Sequence, residues 1–132
     1  MKVGVLRTIR RDGLRLCVTT AYLSDESRPC SEDFRFQCTL EITNGGACPV
    51  EVIFGDWSTT DALLNQIENK GADSRLHRVR LPQNLGFSRR FQCCLPTPIG
   101  QFGVRVSFIR PDGQKFDFDM SDVELSAPNH IQ

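Results

Sequence analysis

The residues best equipped for recognition chemistry are arginines. Between Arg75 and Arg110 the sequence carries Arg75, Arg78, Arg80, Arg89, Arg90, Arg105 and Arg110 and no aspartate or glutamate. A guanidinium presents a planar fork of donors that matches carboxylate and phosphate oxygens, so a run of this kind suits an anionic surface. The acids are collected elsewhere: Glu32, Asp33, Glu41, Glu51, Asp56, Asp61, Glu68 and Asp73 precede the run, and Asp112, Asp117, Asp119, Asp122 and Glu124 follow it. Two arrangements satisfy such segregation. Basic and acidic strands can lie side by side within the fold, or the basic run can face an anionic partner. Trp57, the sole tryptophan, and Phe87 are aromatic residues that serve either as core anchors or as binding hot spots beside those arginines.

Material for catalysis is sparse. The chain has no G-x-S-x-G elbow, H-E-x-x-H pair, P-loop or dinucleotide fingerprint. Asp117 and Asp119 share one side of a strand, where pairing with a basic neighbour explains them more simply than acid–base work. His77 and His130 are isolated. The six cysteines, Cys17, Cys30, Cys38, Cys48, Cys93 and Cys94, include no C-x-x-C pair, so reduced thiols are expected and a structural zinc is not.

Stepping along the chain, period-two alternation defines the elements that must hold these residues. Phe34, Phe36, Cys38, Leu40 and Ile42 alternate with Arg35, Gln37, Thr39 and Glu41 and predict the clearest strand. Leu14, Leu16 and Val18 predict another, and Val50, Val52 and Phe54 a third beyond the Asn44-Gly45-Gly46 turn. Later strands are expected over Leu76 to Leu81, Phe87 to Leu95 and Phe102 to Ile109. Pro111-Asp112-Gly113 reads as a type I turn with a left-handed glycine, returning the chain into Lys115 to Asp119, with a last extended piece over Val123 to Leu125. Trp57 to Lys70 stays open between a short helix, capped by Ser58 and Asp61 with Leu63, Leu64 and Ile67 on one side, and a second hairpin. In the Arg89-Arg90 pair, alternation places one guanidinium on the face of Phe87 and Phe91. There it must find a carboxylate, an edge, or a path to water for its charge.

Each half-apolar sheet must bury one face, so the economical architecture is all-β: a two-sheet sandwich of about seven to eight strands. A chain of 132 residues, 39% hydrophobic, makes one such domain. It is divided into an N-terminal arm or edge strand over 1–13, a sandwich over 14–128 and a tail over 129–132. The basic N-terminal stretch also admits a reading as the start of an organelle-targeting peptide. With formal net charge zero and no apolar run near the roughly 20 residues that span a bilayer, neither a global field nor a membrane anchor is expected.

The order of these marks resembles the ApaG domain, an immunoglobulin or fibronectin type III-like sandwich. Ile42-Thr43-Asn44 with Pro49-Val50, Trp57 with Thr60-Asp61, Thr97-Pro98-Ile99-Gly100 before Phe102-Gly103-Val104, and Pro111-Asp112-Gly113 before Phe116-Asp117-Phe118 carry the resemblance, which spans Leu14 to Pro128. Asp56 stands where the family commonly has an aromatic residue beside the tryptophan. The family's G-x-G-x-x-G stretch, for which a phosphate role has been suggested, corresponds to Asn69 through Arg80, which holds one glycine, so that cradle does not carry over. The resemblance implies a fold more than a reaction. Free-standing bacterial members are associated with cobalt and magnesium tolerance, and the domain within larger proteins looks like a protein-interaction or substrate-recognition module.

The resulting expectation is a non-enzymatic protein-interaction module. It would bind an acidic or mixed protein surface through Trp57, Arg78, Arg80, Phe87, Arg89 and Arg90, with no metal and no cofactor. Two alternatives stand beside it: a structural subunit of a larger assembly touching RNA phosphate, and a small-anion or phosphate-binding protein. An intracellular setting is expected, cytoplasmic first and mitochondrial as the alternative.

Overall fold

Alternating apolar side chains build strands along most of the chain, as the computed structural model shows over its described residues, 2–69 and 78–127. In order these are β1 (Lys2–Arg11), β2 (Leu14–Tyr22), β3 (Phe34–Asn44), β4 (Val50–Asp61), β5 (Gln66–Asn69), β6 (Arg78–Leu81), β7 (Gly86–Leu95), β8 (Ile99–Ile109) and β9 (Lys115–Ser126). One 3-10 turn, Pro29–Ser31, interrupts the β2–β3 connection. Every pairing between strands is antiparallel.

One sheet has the order β1-β2-β3-β7 and the other β5-β4-β8-β9, with β6 also paired to β4. Because β8 bonds β4 from Glu51 to Asp61, β5 and β6 share the opposite side of β4, the first against Trp57 to Thr60 and the second against Val50 to Ile53. The strand number among the described residues slightly exceeds the seven to eight expected; β6 lies within the strand expected over Leu76 to Leu81, whereas β5 falls in the region left open. The sheets stack with β9 against β1 and β2, and β4 against β7. Lys2–Arg11 forms the outer strand beside β2.

The shared core holds Leu16, Val18, Phe36, Leu40, Ile42, Val52, Phe102, Val106 and Phe108, each at most 1% exposed. Fully burying a side chain of this size contributes about 1.5–3 kcal/mol, which is why the inward set decides the register. Phe116 and Phe118 fill beside Phe108, with ring centroids 5.6 and 5.1 Å away. The predicted hairpin forms: Gly113 takes a φ of +89° and its N–H donates to the Arg110 carbonyl at 2.9 Å.

Two bulges flank β8. In β4 the inward residues are Val50, Val52 and Phe54, then Trp57, Thr59 and Asp61, because Gly55 and Asp56 together oppose a single position between Phe54 and Trp57. In β9, Ser121 and Asp122 do the same, so the inward set passes from Met120 to Val123 and Leu125 within one continuous strand. Each bulge absorbs one extra residue and leaves the next large side chain facing the core.

The region left open between helix and hairpin is a hairpin. β4 continues to Asp61, turns over Ala62–Asn65 and returns as β5. Asn44, 1% exposed, anchors the other end of β4: its Nδ2 donates to the Cys48 carbonyl at 2.9 Å and the Leu81 carbonyl at 3.1 Å, and its Oδ1 accepts the Gly46 N–H at 3.0 Å. Arg75, Leu76, His77 and the tail over 129–132 lie outside the described residues.

Candidate interaction site

β7 is the outer strand of its sheet, so its inward face opens sideways to solvent. Alternation along Gly86–Leu95 sends Phe87, Arg89 and Phe91 inward and Arg90 outward. Among the described residues, Arg89 finds no carboxylate there. Its guanidinium carbon lies 4.7 Å from the centre of the Phe54 ring, across the gap between the sheets, and 5.9 Å from that of Phe91. Attraction to the ring faces is worth about 0.5–2 kcal/mol and leaves the charge unneutralised.

The guanidinium stands between two groups of aromatic rings, touching Phe54 in one and Phe91 in the other. Phe87 meets Phe54 edge to face at 5.7 Å and 84°, and Trp57 lies 5.4 Å from Phe91 and 5.9 Å from Phe102. Trp57 and Phe87 are half-buried and packed against the core, so each keeps part of its surface accessible. The bulge at Gly55 and Asp56 is what turns Trp57 inward.

The remaining predicted residues stand elsewhere. Arg78 and Arg80 point outward from β6, on the far face of the second sheet. Arg78 Nη1 lies 3.1 Å from Glu51 Oε1, an exposed pair worth about 0–1 kcal/mol. Arg80 sits directly opposite Glu51 in register and, among the described residues, forms no ion pair. Both arginines join Glu51 and Arg110 around a recess of about 360 Å³ that Ile109 and Pro111 also line. Arg90 projects from the outer face of the first sheet, opposite Thr39. Phe87 and Arg89 therefore meet over Phe54, and Trp57 is linked to Arg89 through Phe91, while Arg78 with Arg80, and Arg90, occupy two further surfaces. A single patch of all six does not form.

Part of the charge segregation is resolved internally, as side-by-side strands allow. Arg105 on β8 faces Asp119 on β9 at 3.5 Å, Asp117 accepts a hydrogen bond from Ser107 Oγ at 2.5 Å, and Arg110 lies 3.8 Å from Asp12. These partners leave Asp117 and Asp119 on an exposed face.

The thiols divide by environment. Cys38 and Cys93 face inward from neighbouring strands on a diagonal, Cys93 lying opposite Phe36, two residues from Cys38. Interaction between the two thiols, with burial, pushes the Cys38 thiol up, while the same interaction draws Cys93 down against the effect of burial. Cys94 points outward and its Sγ donates to Asp33 Oδ1 at 3.0 Å, which, with partial burial, raises its pKa.

Phe54 as the platform for Arg89 was the residue that sequence reasoning missed. It reads as an ordinary core position, and only the proximity of β4 to the edge strand β7 gives it a second role.

Comparison with known proteins places this geometry. No protein-family model matches the chain. A protein of Maricaulis maris named Protein ApaG is 31% identical over 117 residues, covering 89% of this chain and 90% of that one. The chain belongs to the ApaG family. The ApaG protein of Bordetella pertussis is 28% identical over 125 residues, covering 95% of each chain. The crystal structure of the putative ApaA protein from Bordetella pertussis aligns with this ApaG chain at a TM-score of 0.79 and 29% identity, over 87% of this chain and 94% of that one. The ApaG fold accounts for the two sheets. Among the described residues of this ApaG chain, no helix is long and apolar enough to cross a membrane.

Proposed function

We propose that this ApaG chain is a non-enzymatic protein-interaction module whose side seam, formed by Trp57, Phe87 and Arg89, receives an acidic segment of another protein. The observation that carries the reading is Arg89 itself: a half-buried guanidinium stacked on Phe54 with no carboxylate partner among the described residues. Stacking restrains the side chain before a partner arrives, so less rotamer freedom is lost on binding. A carboxylate entering the seam would pair with that charge while its neighbours pack on the half-exposed faces of Trp57 and Phe87.

The nucleoprotein alternative draws less support. Arg80, Arg89 and Arg90, the arginines of the basic run without an ion pair among the described residues, lie on separate faces rather than along one track that a phosphate backbone could follow. The reading sets the chain inside the cell, where its free cysteines stay reduced.

Affinity isolation from native extract with wild-type and Arg89→Glu chains tests it. Partners held by the seam should be lost from the folded Arg89→Glu chain and recovered in part with Arg89→Lys. Retention of every partner by Arg89→Glu would overturn the proposal.

A further inference from the structure

The two sheets do not end together on the side closed by β7. Because β9 stacks on β1 and β2, and β4 on β7, the short strands β5 and β6 on the far side of β4 extend past the last strand of the first sheet. Ile67 shows the consequence. It stands opposite Thr59, a buried inward residue, and so belongs to the face between the sheets, yet it is 54% exposed. Alongside this uncovered strip runs the outer edge of β7.

Alternation assigns the backbone groups of that edge. The Leu23 N–H donates to the Arg35 carbonyl at 2.8 Å and the Asn44 N–H to the Leu85 carbonyl at 2.9 Å, so odd-numbered residues of β3 bond toward β2 and even-numbered ones toward β7. The even-numbered residues stand opposite Phe87, Arg89, Phe91 and Cys93, whose N–H and C=O groups they engage. Those of Ser88, Arg90, Gln92 and Cys94 therefore point the other way, where β7 has no neighbouring strand among the described residues, and all four residues are exposed. Such a row is a template for a further strand, and folded proteins blunt it with proline, a bulge or a well-placed charge. Gly86–Leu95 contains no proline and its register against β3 is unbroken. Its guards are the two arginines at its middle, Arg89 turned inward and Arg90 outward, neither with a carboxylate partner among the described residues.

We infer that an extended segment of another protein adds to the edge of β7 as the fifth strand of the first sheet, with two adjacent acidic residues opposite Arg89 and Arg90. The inference rests on the reading of the seam as a site for an acidic segment and supplies the way that segment is held. Successive residues of a strand point to opposite faces, so one acid enters the seam toward Arg89 and the next meets Arg90 on the outer face. Residues two places from the first acid turn inward with it and cover the strip that leaves Ile67 exposed. Main-chain bonds would hold any strand; the arginines choose among them. A strand with apolar or basic residues at these two positions buries the charge of Arg89 without a counter-ion and is disfavoured. A second copy is disfavoured on the same ground, since β7 paired with β7 about its middle sets arginine against arginine.

Fluorescence anisotropy with a labelled synthetic peptide of alternating threonine and valine, carrying two adjacent aspartates at its centre, tests the proposal together with amide exchange of the full chain read by NMR. The peptide should bind the wild type and slow exchange at Ser88, Arg90, Gln92 and Cys94, leaving Phe87, Arg89 and Phe91, already bonded to β3, unchanged. Replacing its aspartates by asparagines should weaken binding at least about tenfold, as should Arg89→Glu with Arg90→Glu. So should Gln92→Pro, which removes one donor of the free edge while keeping the side chains of the seam and the bonds to β3. Circular dichroism checks that both variants fold. Binding that survives Gln92→Pro and slows none of the four amides, yet fails in the glutamate variant, would overturn the added strand and leave the acidic-segment reading standing. Slowed amides with equal affinity for the asparagine peptide would overturn the selection by charge, and that reading with it. The proposal also falls if the wild type binds no peptide, or if the four amides gain protection with protein concentration alone, which would assign the edge to a second copy.

Discussion

The guanidinium of Arg89 rests on the ring of Phe54 at 4.7 Å, so that the charge of one sheet is seated on the aromatic surface of the other. Stem and charge make separable contributions. Arg89→Ala should lower stability by about 1–2 kcal/mol through lost packing and cation–π attraction, whereas Arg89→Met should cost under about 1 kcal/mol because an unbranched apolar stem still covers the ring. Urea denaturation of the purified variants measures both. On the functional reading both also lose partner binding, which separates the roles.

Asn44 predicts a large effect from a small side chain. Asn44→Ala strips hydrogen bonds from the Cys48 and Leu81 carbonyls and the Gly46 N–H and should cost about 2–4 kcal/mol. Asn44→Asp should be worse at neutral pH, because a carboxylate oxygen would then confront the two carbonyls that the amide now feeds. Thermal and urea unfolding of the two variants gives the order.

For Asp61 the prediction concerns pH. Donation from the Asn65 N–H holds its carboxyl below the usual range, aided by the Asn65 amide and the Leu63 N–H and opposed by burial. A folded pKa lower than the unfolded one means that the unfolded chain binds the proton more readily. The stabilisation is therefore complete above the unfolded value of about 3.9 and lost as pH falls through the lower folded value. Amide exchange of Leu63 and Asn65 should accelerate below pH 4 relative to core amides after correction for intrinsic rates, and Asp61→Asn should weaken that pH dependence.

Cys94 is exposed yet should react slowly. Its thiol donates to Asp33, and the carboxylate disfavours a second negative charge beside it. Alkylation by iodoacetamide at pH 7.5 should speed up in Asp33→Asn, because the thiolate is the attacking species. Mass spectrometry of the modified peptide reads the rate.

Much of this fold was legible because most apolar residues are buried. Phe34–Asn44 and Phe102–Ile109 place one at every second position, and Pro111-Asp112-Gly113 has the residues its turn requires. Legibility failed where that premise fails. Leu63, Leu64 and Ile67 have helical spacing but face water, and the hairpin that displays them is shaped by the polar side chain of Asp61. Likewise, Val123 to Leu125 read as a separate piece because Ser121 and Asp122 break the alternation of β9. At the candidate site, alternation indicated that Arg89 or Arg90 faces inward. The sheet order was needed to reveal that the inward one lies at an outer strand, above Phe54.

The paired bulges beside β8 make the chain's length negotiable at two points. Removing Gly55 or Asp56 would convert β4 to an unbroken alternation with Trp57 still turned inward, and neither β6 nor β5 would lose a partner, because their registers stop at Ile53 and resume at Trp57. A one-residue loss elsewhere in that strand would carry the inward side chains on one side of the loss to the wrong face. Deletions in this fold thus have a frame, and these two spots are where the frame can be reset.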